Sequence, residues 1–157
     1  MKRISIVLVA SAALLATAAC SKKGGDSGGK PATLKLPKVG LQIDVTGDSA
    51  TVSDGMSDNS NMIMSTDVGA LTVEVADKAE TLDEGKDDAK DFGPKNLKDE
   101  KLADGWALTY DNTGSMGANY FVDVVRTIGG KPYKCSTTVS KPEQQQAALA
   151  ACKTLRP

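Results

Sequence analysis

The chain of 157 residues contains no histidine. Ser–His–Asp and Cys–His triads need an imidazole base, so they are excluded, and so are zinc sites that use histidine. There is no P-loop. The glycine pairs also lack the spacing and the βαβ setting of a dinucleotide fingerprint. Basic residues form no block beyond Lys22-Lys23, so the electrostatic footprint of a nucleic-acid partner is missing. No segment after the first 19 residues approaches the 18 apolar residues of a membrane-spanning helix.

The chain opens with the basic pair Lys2 and Arg3. Ile4 to Leu15 follows as an apolar run of 12 residues, broken only by Ser5 and Ser11. That run is too short to stay in a bilayer as a spanning helix, and small residues follow it, so residues 1–19 are read as a signal peptide. It closes on Leu14-Leu15-Ala16-Thr17-Ala18-Ala19-Cys20. This ending resembles the cleavage and acylation box of bacterial lipoproteins, although Thr17 departs from the aliphatic residue usual at its position. The resemblance implies lipid on the Cys20 thiol and a cut after Ala19. The implied anchor is the membrane itself, reached through the N-terminal lipid. Ser21 stands where an aspartate would suggest retention at the inner membrane, so the resemblance favours the outer membrane, with the domain in the periplasm or at the cell surface. Two or more acyl chains hold a protein stably at a bilayer without a spanning segment. An ordinary secreted protein cut nearby is the alternative.

Residues 20–31 are rich in glycine, serine and lysine. They cannot bury apolar area, so they read as the acylated cysteine and a tether. Two of the 19 basic residues and none of the 20 acidic ones precede Cys20, which leaves the remainder at a net charge of −3. Residues 32–157 are enough for one domain with a modest core.

Within that domain the apolar residues first recur at every second position. Leu34 and Leu36, then Leu41, Ile43 and Val45, then Ile63, then Leu71, Val73 and Val75 predict a meander of strands. Ser53 to Asn61 reads as a polar loop. The period changes at Thr81, where Thr81-Leu82-Asp83-Glu84 has capping-box spacing. A helix follows with Leu82, Ala89 and Phe92 inward, ending at Gly93-Pro94. The charged stretch from Lys95 to Asp104 reads as a solvated connection. Strands resume with Trp106, Leu108 and Tyr110, and Asp111 to Asn119 is expected to be a loop. The strand from Tyr120 to Ile128 is apolar on both faces, with Phe121, Asp123 and Val125 on the second. Gly129-Gly130 marks a tight hairpin before Tyr133, Cys135 and Thr137. Ser140-Lys141-Pro142-Glu143 offers a cap for a last helix, whose inner side carries Ala148, Cys152 and Leu155.

With Cys20 spent on lipid, Cys135 and Cys152 remain in an oxidising compartment. They form no Cys-x-x-Cys motif, so they read as a structural disulfide tying the last helix to the last strand, a redox pair or free thiols being the alternatives. The predicted fold class is α+β, an antiparallel sheet with two helices packed on one face. The element order, together with the Asp104-Gly105-Trp106 turn, resembles the small α+β fold of PsbP-like proteins. That resemblance implies an assembly or interaction role.

Candidate sites are few. Asp111, Thr113 and Ser115 alternate in a glycine-containing segment that could offer oxygens to calcium, but they do not match the 12-residue calcium loop. Met56, Met62 and Met64 invite a copper reading through soft thioethers and read more simply as apolar filler. Lys98-Asp99-Glu100-Lys101 reads as a solvated turn. Trp106 and the tyrosines belong to a core or to a binding surface. No catalytic, cofactor or metal residue is assigned. The expectation is a non-catalytic envelope lipoprotein that binds a protein, an envelope protein being the expected partner, or the cell wall, or assists an assembly. The alternative is a small lipoprotein binding a lipid or metal.

Overall fold

A computed structural model of the chain describes residues 31–115 and 117–157. Cys20 and the signal and tether segments lie outside the described residues, apart from Pro31 at the end of the tether. The described residues form nine strands: β1 (Ala32–Leu36), β2 (Leu41–Val45), β3 (Thr51–Asp54), β4 (Ser60–Ser65), β5 (Gly69–Val75), β6 (Lys95–Leu102), β7 (Gly105–Gly114), β8 (Gly117–Ile128) and β9 (Lys131–Val139). Two helices, α1 (Leu82–Lys90) and α2 (Pro142–Lys153), interrupt and close the series. Strands β3 to β9 form one antiparallel sheet in the order β3-β4-β5-β9-β8-β7-β6, and β1 and β2 pair as a separate hairpin. The α+β class, the antiparallel sheet and the two helices are those expected from the sequence.

The helices, however, pack on opposite faces of the sheet. On one face α2 and the β1–β2 hairpin cover Ile63, Leu71, Val73, Val122, Val124 and Cys135, which form the main core with Ala148, Ala151 and Cys152. On the other face α1 sets Ala89 against Trp106, Leu108, Tyr110 and Val125. Alternation makes this possible, because successive residues of β7 and β8 point to opposite sides and both sides are apolar. The disulfide joins Cys135 of β9 to Cys152 of α2 with an S–S length of 2.05 Å. A second tie is Arg126. It holds the Asp104 carboxylate through Nε and Nη2, and its Nη1 donates to the carbonyls of Lys153 and Leu155 at 2.8 Å, where α2 ends.

Three local expectations are corrected. The charged stretch after Pro94 is strand β6, at the edge of the sheet, with Asp99 paired to Lys86 and Glu100 to Lys153. Asp111 to Asn119 is not a loop: β7 and β8 stay paired until Gly114 faces Gly117. Ser140 does not cap α2, whose N-cap is Lys141, with no side-chain cap bond. The capping box of α1 is formed as predicted: the Thr81 hydroxyl accepts from the Glu84 amide, and Glu84 accepts from the Thr81 amide at 2.8 Å.

Candidate functional site

The sequence places no group of reactive residues together, and the structure treats its isolated candidates as framework. Asp111 accepts a hydrogen bond from the Asn96 amide at 2.9 Å, at the outer end of β7. Met56 is 99% exposed, while Met62 and Met64 alternate along β4 and line up beside Thr72 and Ala70 of β5. Cys135 and Cys152 are joined in the core. What the fold does assemble is a groove that the sequence reading missed.

The groove opens on the α1 face of the sheet, where a single short helix leaves part of that face uncovered. Its volume is about 460 Å³. One wall is aromatic. Tyr110 and Phe121 stack with ring centroids 4.5 Å apart, and Phe92 leans on Phe121 at 5.5 Å. Phe92, expected to point inward, is 53% exposed, because it lies beyond the end of α1 and reaches back over the stacked pair. The floor is made of side chains from the middle of the sheet, including Thr72, Ser136 and Thr138.

The remaining wall is charged. Lys134 of β9 extends its ammonium to 3.2 Å from Glu80 and 3.9 Å from Asp123 of β8. Asp88, on α1, is exposed at the rim. Glu80 is placed from both sides: the Trp106 indole N–H donates to its main-chain carbonyl at 2.8 Å, and Gly85 leaves the space the indole ring fills. A Cβ at Gly85 would lie 2.5 Å from Cη2 of Trp106 and 3.2 Å from Oε1 of Glu80. That Oε1 is buried and has no hydrogen-bond partner in the protein.

Burial raises the pKa of Asp123 above its ordinary value of 3.8. Lys134 opposes the rise, while Glu80 and Asp88 add to it. Burial works against the Lys134 ammonium, but Asp123, Glu80 and Asp88 outweigh it and hold its pKa above 10.5. Tyr110 is pushed up to about 12, by burial first and then by Asp123 and Asp88, so its hydroxyl stays neutral at any ordinary pH. The groove therefore presents neutral hydroxyls, aromatic faces and more carboxylates than ammonium groups. Among the described residues no cluster of three or more acidic, histidine or cysteine side chains is disposed to hold a metal ion.

One signal of this site was present in the sequence. Asp123 stands alone between Phe121 and Val125 on a strand face that is otherwise apolar. A carboxylate in such a row needs a partner, and Lys134 faces Val125 across the β8–β9 ladder, two residues along from Asp123. Glu80 gave no comparable signal, because it precedes α1 in a segment without periodicity, and Phe92 read as an inward residue of the helix.

No protein-family model matches the chain, and no curated protein sequence matches it. A crystal structure of a protein from Bacteroides thetaiotaomicron VPI-5482 is similar in fold, with a TM-score of 0.50 and 13% identity over 81% of this chain. The match spans 47% of that protein, so this chain corresponds to about half its length. A likeness at this identity concerns the fold alone.

Proposed function

We propose that the chain is an envelope lipoprotein, held at the membrane by lipid on Cys20, whose domain binds another protein or assists an assembly without catalysing a reaction. The observation that supports a binding role is the groove beside α1, with its exposed Phe92, its stacked Tyr110 and Phe121 and its charged rim. Protein-binding patches combine an aromatic centre with a polar border in this way. Carriers of small apolar ligands enclose them in apolar cavities, and this groove is open, with hydroxyls on its floor. The anchor rests on Lys2 and Arg3, the run Ile4 to Leu15, and Ala18-Ala19-Cys20. A disulfide between β9 and α2 suits the oxidising side of a membrane. The PsbP-like order of elements points the same way by analogy.

Replacing Phe92 by a photoreactive amino acid in cells that make the full chain tests the binding role. Lys35, exposed on β1 and on the other side of the sheet, is the control position. A discrete adduct with one envelope protein is expected from position 92 and not from position 35. No adduct from position 92, or the same adducts from both positions, would contradict a binding role for this groove.

A further inference from the structure

We infer that the α1 groove receives a basic side chain, lysine or arginine, presented by the protein partner. The inference rests on the binding role proposed above and names the chemistry that the groove selects.

Glu80, Asp88 and Asp123 surround the one ammonium of Lys134. A second depression around the front of α1 shares Glu80 and Asp88, and adds Glu74, Asp77 and Glu84 against Lys78. Glu84 is already committed to Lys78 at 2.6 Å and to Thr81. The surplus is negative along the whole path, so an acidic ligand is repelled and Lys134 is too closely bracketed to hold one.

One carboxylate oxygen of Glu80, Oε1, is buried without a hydrogen-bond partner. A buried acceptor without a donor is costly, and here the carboxylate that carries it lines the groove. The terminal torsion of a glutamate is soft, so a small rotation brings this oxygen to an incoming N–H. A metal ion is a poorer occupant, since the described residues offer no cluster of ligands for one.

The aromatic wall suits the same occupant. Phe92 exposes a ring beside the stacked pair, and an alkyl stem or a guanidinium plane can lie on such a face while its charge reaches the carboxylates. The hydroxyls of Thr72, Ser136 and Thr138 leave acceptors along the floor for the backbone that carries it. An extended, positively charged segment fits all three features.

Trp106, the single tryptophan of the chain, lines the groove and reports occupancy by its fluorescence. Titration of the full chain with a blocked alternating Gly-Arg hexapeptide is expected to shift its emission saturably, and the matched Gly-Glu hexapeptide is expected to leave it unchanged. Raising the salt from about 20 to about 200 mM should weaken binding several-fold, because exposed charges such as Asp88 are screened. Glu80→Gln, Asp88→Asn and Phe92→Ala should each weaken it, Glu80→Gln by about tenfold. Asp88 and Phe92 are exposed, so those two variants test the groove even if Glu80→Gln fails to fold. Equal binding of the two peptides, no saturable shift, insensitivity to Asp88→Asn and Phe92→Ala, or equally tight binding of free spermidine would each overturn the inference. A Phe92 crosslink to a partner with no response to the Gly-Arg peptide would leave the binding role standing and remove the basic side chain. The reverse pair of results would keep the cation site and remove the protein partner.

Discussion

Gly85 illustrates how a residue changes meaning between sequence and fold. In a helix a glycine costs up to about 1 kcal/mol relative to alanine, so Gly85→Ala considered on helix propensity alone should stabilise α1. In the fold the added methyl would press on the Trp106 ring at 2.5 Å. Overpacking of this kind costs about 1–3 kcal/mol, more than the propensity returns, so Gly85→Ala should destabilise the domain. Urea unfolding followed by Trp106 fluorescence gives the sign, and a gain in stability would show that the ring moves freely. Asp104 and Asp123, each beside a cation, behave oppositely with pH. Arg126 hydrogen bonds hold Asp104 below 3.8. Its contribution to stability is present above 3.8 and is lost as pH falls through the lowered value. Burial first, and then Glu80 and Asp88, hold Asp123 above 3.8 despite Lys134. Between 3.8 and its raised value the folded chain binds a proton that the unfolded chain has released, so stability from this group declines as pH rises through that window. Carbon-13 titration of the side-chain carboxyls should place the Asp104 midpoint below 3.8 and the Asp123 midpoint above it. The reverse order would contradict the site's electrostatics.

Among elements, those with a clear period were legible and those set by pairing were not. The strand around Ile43, the Gly129-Gly130 hairpin, the capping box at Thr81 and the C-terminal helix all follow from local pattern and turn chemistry. Strand β6 does not, because Leu97 and Leu102 are its sole apolar residues and do not alternate. It exists because it pairs with β7, and its charges keep the sheet edge from recruiting another strand. The outer part of the β7–β8 hairpin is likewise held by cross-strand pairing through residues that favour turns. Element order gave no information on which face each helix covers. That was written in the second apolar face of β8, where Phe121 and Val125 needed cover of their own. The disulfide was the one tertiary contact readable in advance, from the two cysteines left over once Cys20 was assigned to lipid. Closing a loop between residues 17 apart contributes roughly 3 kcal/mol in the chain-entropy account. Cys152→Ala should therefore cost about 2–5 kcal/mol and speed amide exchange from Glu143 to Leu155 before the sheet is affected. Uniform loosening of sheet and helix together would contradict a local role for the bridge.

At the scale of the whole molecule, the anchor proposed from the first 20 residues precedes a domain that presents its groove on one side of a sheet. The groove itself was hardly legible in the sequence. Its charged wall draws on Asp123 and Lys134, brought together by the β8–β9 hairpin, and on Glu80, which is distant in the chain and is placed by the Trp106 indole that pins the turn before α1. No described helix is long and apolar enough to cross a membrane; the proposed anchor is the lipid on Cys20. Cys20→Ser should release the protein from the membrane fraction while leaving the fold of residues 32–157 unchanged. The most direct measurement is the intact mass of wild-type chain extracted from membranes. The account predicts a polypeptide that starts at Cys20 and carries added acyl mass; an unacylated chain, or one that starts elsewhere, would contradict it.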